Sequence, residues 1–139
     1  MKLYTNAASP FARKCRVVAH ELNLPLEEVR TLPMQEPEFR RINPLGKIPA
    51  LTLDDGSVLI DSPVICEYLD HKGGGKFFPH HSIWKEDKRR WKILGLQALG
   101  DGLADAAVAW MIEGRQQPVN ENARARHMAA VMTSLDALE

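Results

Sequence analysis

Apolar positions change their spacing partway along the chain. Through residue 72, short apolar runs alternate with helically spaced ones: "KLYT" precedes Phe11, Val17, Val18 and Leu22, then Pro25 and "LEEVR" follow. A strand, a helix ended before the proline and a second strand make a βαβ unit, and its right-handed crossover sets the two strands parallel. Further on, "ALTL" and "VLI" flank Asp55-Gly56, a two-residue signal for an antiparallel hairpin. The pattern therefore predicts a mixed sheet, covered by a helix in "DSPVICEYLD" through Val64, Ile65, Tyr68 and Leu69.

Strand signals then stop. "HKGGGKFFPHH", residues 71–81, carries glycine, proline and histidine without an apolar period and reads as an interdomain linker. Trp84, Trp91, Leu94, Ala98, Leu103, Ala107 and Trp110 approximate helical spacing through 84–113. Gly95, Gly100 and Gly102 inside that helix imply close packing or a bend. Beyond Pro118 a second helix carries Met128, Val131, Met132, Leu135 and Leu138 on one face. The predicted organisation is an α/β domain over 1–72, a linker over 73–83 and an all-helical domain over 84–139. Two helices by themselves supply a marginal core, so their outer faces require a second copy of the chain or further helices.

Composition narrows the function classes. Of 139 residues, 45% are apolar and 26% charged, an ordinary globular balance, and 18 basic residues offset 18 acidic ones. Without a net field there is no expectation of nucleic acid or an anionic membrane as partner, and "KEDKRR" reads as a solvated helix face. No apolar run has signal-peptide or membrane-span length, so a cytoplasmic location is expected. Cys15 and Cys66 stand in no metal-ligand spacing with the histidines, so neither a metal nor a disulfide framework is expected. Gly46-Lys47 leads into Ile48 and Gly75-Lys76 into Phe77, so neither is a phosphate loop, and no G-x-S-x-G makes Ser9 a hydrolase nucleophile.

Two Ser-Pro pairs, Ser9-Pro10 and Ser62-Pro63, each stand before a predicted helix. Serine as N-cap with proline at the first helical position accounts for both as structure alone. A helix start at the end of a parallel strand also offers free amides and a partial positive charge, which suits an anion held beside the Ser9 hydroxyl.

"SPFARKC" after the first strand, "NPLGKIPAL" in the middle and "DSPVICEYLD" at the last helix of the domain resemble the glutathione transferase N-terminal domain. The likeness is to bacterial-type members with serine at the active-site position. "WKEDKRRWKILGLQALGDGLADAAV" resembles the start of that family's all-helical second domain, here shortened. The resemblance implies a thioredoxin-like α/β domain with a mixed four-stranded sheet, followed by a partial all-α domain. It implies glutathione as co-substrate, no metal, a homodimer, and conjugation to a small hydrophobic electrophile. By the same resemblance Ser9 stabilises the thiolate. Ile48, before a cis Pro49, presents its backbone to the cysteinyl part. The Ser62 hydroxyl and amide take the γ-glutamyl carboxylate and Asp61 its ammonium. Lys47 faces the glycyl carboxylate, and Phe11 lies near the acceptor. Related proteins often carry a lysine near the position of Gln35, a departure at the glycyl end. Where the glutaredoxin relatives have Cys-Pro-aromatic-Cys, this chain has Ser9-Pro10-Phe11-Ala12, which favours transferase over disulfide reductase. The alternative is a noncatalytic binding or regulatory module on the same fold.

Overall fold

The first strand, β1 (Lys2–Thr5), alternates its side chains between two faces. Leu3 is fully buried among Cys15, Ala19, Ile65 and Leu69 from the covering helices, whereas the Tyr4 ring lies 5.4 Å from that of Phe39. The structure, a computed structural model, describes residues 1–79 and 88–139. His80, His81, Trp84 and the predicted start of the long helix lie outside the described residues. The chain divides into two units, Met1–Arg90 and Trp91–Glu139.

In the first unit β1 leads through α1 (Pro10–Glu21) to β2 (Glu27–Arg30), then through a 3-10 turn at Pro37–Arg41 to β3 (Ala50–Thr52), β4 (Val58–Leu59) and α2 (Ser62–Lys72). The sheet order is β2-β1-β3-β4. β1 pairs parallel with β2, Thr5 opposite Arg30, and antiparallel with β3, Leu3 opposite Leu51; β3 and β4 close an antiparallel hairpin. The sheet is mixed, as the apolar pattern predicts, and four-stranded, as the family resemblance implies. At the hairpin Gly56 has φ +85°, a conformation that favours glycine.

The covering faces match the expected ones in part: Ile65 and Leu69 are buried and Val18, Leu22 and Tyr68 pack against the core, whereas Val17 and Val64 face outward. On α1 the shielded positions are Ala12, Cys15 and Ala19, while Val17 is 53% exposed. On α2 they are Ser62, Ile65, Cys66, Leu69 and Asp70, with Val64 49% exposed. Small residues, Ala12, Cys15 and Ala19 on α1 and Cys66 on α2, are buried beside the larger Ile65 and Leu69. The stretch after α2 is tied back to it: the buried Asp70 carboxylate accepts the Phe77 and Phe78 N–H groups, both at 2.8 Å.

The second unit contains α4 (Glu121–Asp136), capped by Asn120, and nearly all of α3 (Lys88–Glu113), whose first residues belong to the first unit. α3 buries no residue, and Met128, Met132 and Leu135 of α4 remain exposed. A Cβ built at Gly95, Gly100 or Gly102 meets nothing within 4 Å among the described residues, so these glycines mark no close packing. Among the described residues, no helix is long and apolar enough to cross a membrane.

Candidate functional site

The turn between β1 and α1 is built by Asn6. Its Oδ1 accepts the Ala8 N–H at 3.0 Å, and its Nδ2 donates to the Thr31 carbonyl at 3.3 Å, beyond the end of β2. Ser9 then adopts extended angles, φ −82° and ψ 114°, as the N-cap of α1, with Pro10 at the first helical position. Its Oγ accepts the Ala12 N–H at 3.2 Å. That bond uses one lone pair, and no described residue receives the hydroxyl proton, which stays available for an anion. With Ala12 engaged and Pro10 lacking an N–H, the Phe11 amide is the first free main-chain donor of the helix.

α2 starts differently. Asp61, at φ −95° and ψ −172°, is the N-cap, and its carboxylate accepts the Ser62 N–H. Ser62 therefore occupies the first helical position rather than the expected cap: Asp61 holds the extended cap conformation and its carboxylate is a strong acceptor for the Ser62 N–H. The Ser62 amide is thus already used. Its side chain is almost fully buried, and its hydroxyl bonds to no other described residue. Asp61 is exposed.

Between these helix starts runs the segment 43–49. The buried Asn43 holds it in shape: its Nδ2 donates to the Lys47 carbonyl at 2.6 Å and its Oδ1 accepts the Leu45 N–H at 3.0 Å. Gly46 completes the turn at φ +61°, a conformation that favours glycine; the Arg40 guanidinium lies 3.0 Å from where a Cβ would stand. The Ile48–Pro49 peptide is cis. Ile48 enters no backbone hydrogen bond of the described turns and loops. The Lys47 side chain is exposed, with no ion pair among the described residues.

The two helices meet through sulfur. The Cys66 thiol donates to the Cys15 sulfur and the Cys15 thiol to the Ser62 carbonyl, each at 3.8 Å. Both cysteines are free and buried. Hydrogen bonding to Cys66 and burial push the Cys15 thiol well above the ordinary thiol range, so it stays protonated and is no nucleophile. Among the described residues, no group of three His, Cys, Asp or Glu side chains is arranged to hold a metal.

Residues 8–72, which carry this arrangement, match the sequence profile of the glutathione S-transferase N-terminal domain. The whole chain aligns with the uncharacterised GST-like protein YibF of Escherichia coli, 30% identical over 144 residues and 68% of that protein's length. The chain belongs to the glutathione S-transferase family. A glutathione-bound glutathione S-transferase from Methylobacillus flagellatus superposes on 99% of the chain with a TM-score of 0.86 at 36% identity, the chain covering 67% of it. A family member from Pseudomonas fluorescens with bound glutathione gives 0.84 at 35% identity, again over 99% of the chain and 69% of that structure. The maleylacetoacetate isomerase of Pseudomonas aeruginosa is 32% identical over 71% of the chain, which spans 48% of that enzyme.

Asn6, Asn43 and Asp70 were not singled out from sequence. Each acts by side-chain bonds to the backbone of a loop. A polar residue beside a turn is the one available signal, and it does not distinguish these three from the chain's other polar loop residues.

Proposed function

We propose that this protein binds glutathione and conjugates it, through its sulfur, to a small hydrophobic electrophile. The observation that carries the proposal is the Ser9 hydroxyl, which accepts from Ala12 and has no described receiver for its own proton. Its O–H, helped by the Phe11 amide and the start of α1, donates to the cysteinyl sulfur and favours the thiolate. Lowering a thiol pKa from about 8.5 by about two units needs about 2.7 kcal/mol. A charge-assisted hydrogen bond at about 1.5–3 kcal/mol and a helix terminus at about 0.3–2 kcal/mol are sufficient. The thiolate then attacks the electrophilic carbon; the carbon–sulfur bond forms and the leaving group departs with its electron pair.

In this reading the tripeptide is held from three sides. The unpaired Ile48 backbone meets its cysteinyl amide in the manner of an added strand. The Ser62 hydroxyl takes the γ-glutamyl carboxylate, and since the Ser62 N–H is engaged, the Val64 N–H is the next donor in that helix turn. Asp61 meets the ammonium with the lone pairs its cap bond leaves free, Lys47 faces the glycyl carboxylate, and Phe11 borders the acceptor.

Glutathione conjugation of 1-chloro-2,4-dinitrobenzene tests the role of Ser9. Ser9→Ala removes both the cap and the donor, whereas Ser9→Asn keeps a capping oxygen and replaces the hydroxyl by amide N–H donors. Ser9→Ala is expected to lose about ten- to a hundredfold in kcat/KM, with the bound thiol titrating nearer its solution value, and Ser9→Asn to recover part of the loss. Equal turnover in Ser9→Ala and the unsubstituted protein removes Ser9 from the chemistry. Glutathione binding with no turnover in the unsubstituted protein assigns the chain to the noncatalytic class.

A further inference from the structure

On the outer flank of α1, Arg13, Arg16, Val17 and His20 recur at helical spacing and line a cavity of about 550 Å³. A second cavity of about 290 Å³ continues it toward β2, where Glu28 and Arg30 form the wall. Both cavities reach Ala7, two residues before Ser9, and they share Arg16 and Glu28, so they form one groove. Its volume lies within the range of about 300–1,000 Å³ usual for small-molecule sites.

The charges along this groove do not cancel. Glu28 is held by Arg16 at 2.9 Å and Glu21 by Lys76 at 3.6 Å. Arg13 and Arg30 have no carboxylate partner among the described residues, so two cations remain for a ligand to meet. A second, independent observation lies in the wall near Arg30: Thr5 is only 4% exposed, and its Oγ1 is buried without a hydrogen-bond partner. Buried hydroxyls are nearly always paired, and this one, in a residue that lines the groove, has no partner. Arg30, opposite Thr5 in the β1–β2 register, presents a planar fork suited to a carboxylate.

From these features we infer that the α1–β2 groove is an anion-recognising arm of the acceptor site. It selects electrophiles that carry a carboxylate, with Arg30 as its principal contact. The inference rests on the transferase reading above and names the substrate class for it. The carboxylate lies in the groove while the electrophilic carbon points toward Ala7 and the Ser9 turn.

Two probes with the same chemistry separate the two readings. In 1-chloro-2,4-dinitrobenzene and in 4-chloro-3,5-dinitrobenzoate the glutathione thiolate adds to the chlorine-bearing carbon and chloride leaves with the bonding pair; only the second probe is an anion. In Arg30→Gln, kcat/KM for the benzoate is expected to fall about tenfold relative to the neutral probe, and Arg30→Lys is expected to recover part of the loss. An unchanged ratio in Arg30→Gln, with the neutral probe still turned over, overturns the inference and leaves the transferase reading intact. If neither probe is turned over, the transferase reading fails, and binding of the unreactive 3,5-dinitrobenzoate, followed by NMR at the backbone amides of α1 and β2, decides the groove. Binding about tenfold weaker in Arg30→Gln supports an anion site; binding that is absent or indifferent to Arg30 overturns it.

Discussion

Leu3, Leu51, Ile65 and Leu69 in the first unit are fully shielded from solvent, whereas among the described residues of the second only Ala123 is buried and Trp91, Met132 and Leu135 are 58%, 52% and 43% exposed. The α/β unit closes a core around β1 and two helices, and it ties its loops with Asn6, Asn43 and Asp70. The helical unit depends on local devices: the Asn120 cap and the Arg124 guanidinium 4.5 Å from the centre of the Trp110 ring. An apolar stripe in a sequence therefore carries two meanings. In one unit it is satisfied within the fold, and in the other it remains available to whatever covers it.

The largest test of this contrast is truncation. Leu3→Ala should cost about 2–5 kcal/mol, while Met132→Ala should change stability by no more than about 0.5 kcal/mol, both read from denaturant unfolding. Comparable losses at the two positions would break the comparison. Next, Asp70→Ala leaves the Phe77 and Phe78 amides without their acceptor. A loss of about 1–3 kcal/mol is expected, with faster hydrogen exchange at those two amides.

A third test uses pH. The folded Cys15 thiol holds its proton through the range in which an unfolded thiol releases it. Above about pH 8.5 the unfolded state therefore binds fewer protons than the folded one, and stability falls as pH rises. The slope from this residue approaches about 1.4 kcal/mol per pH unit, and Cys15→Ala should flatten it in unfolding titrations. The smallest change sharpens the other side of the contrast: Asn120→Ala should cost about 1 kcal/mol, seen as fraying of the first turn of α4 by circular dichroism.

Element types and sheet pairing were legible because each rests on a local signal: a proline ending α1, Asp55-Gly56 at the hairpin, Pro118 before α4. The buried faces of the helices were less so. Hydropathy favours Val17 and Val64, both exposed, over Ala12, Cys15 and Ala19, which are buried. The motif around Ser9, Ile48 and Ser62 was readable through family resemblance. The exchange of roles between Asp61 and Ser62 was not, since neighbouring residues able to cap compete on geometry that composition does not encode. The 3-10 turn that brings Phe39 to Tyr4 and the Asp70 clamp likewise depend on contacts made only after the sheet forms. The groove residue Arg30 was silent in sequence, because a charged residue on an edge strand looks like any other solvated one.

The sulfur contact between Cys15 and the Ser62 carbonyl has a consequence for which peptides fit. It helps hold the start of α2 against the body of α1. In the glutathione reading proposed above, a ligand that engages both serines would then be selected by its length as well as by its chemistry.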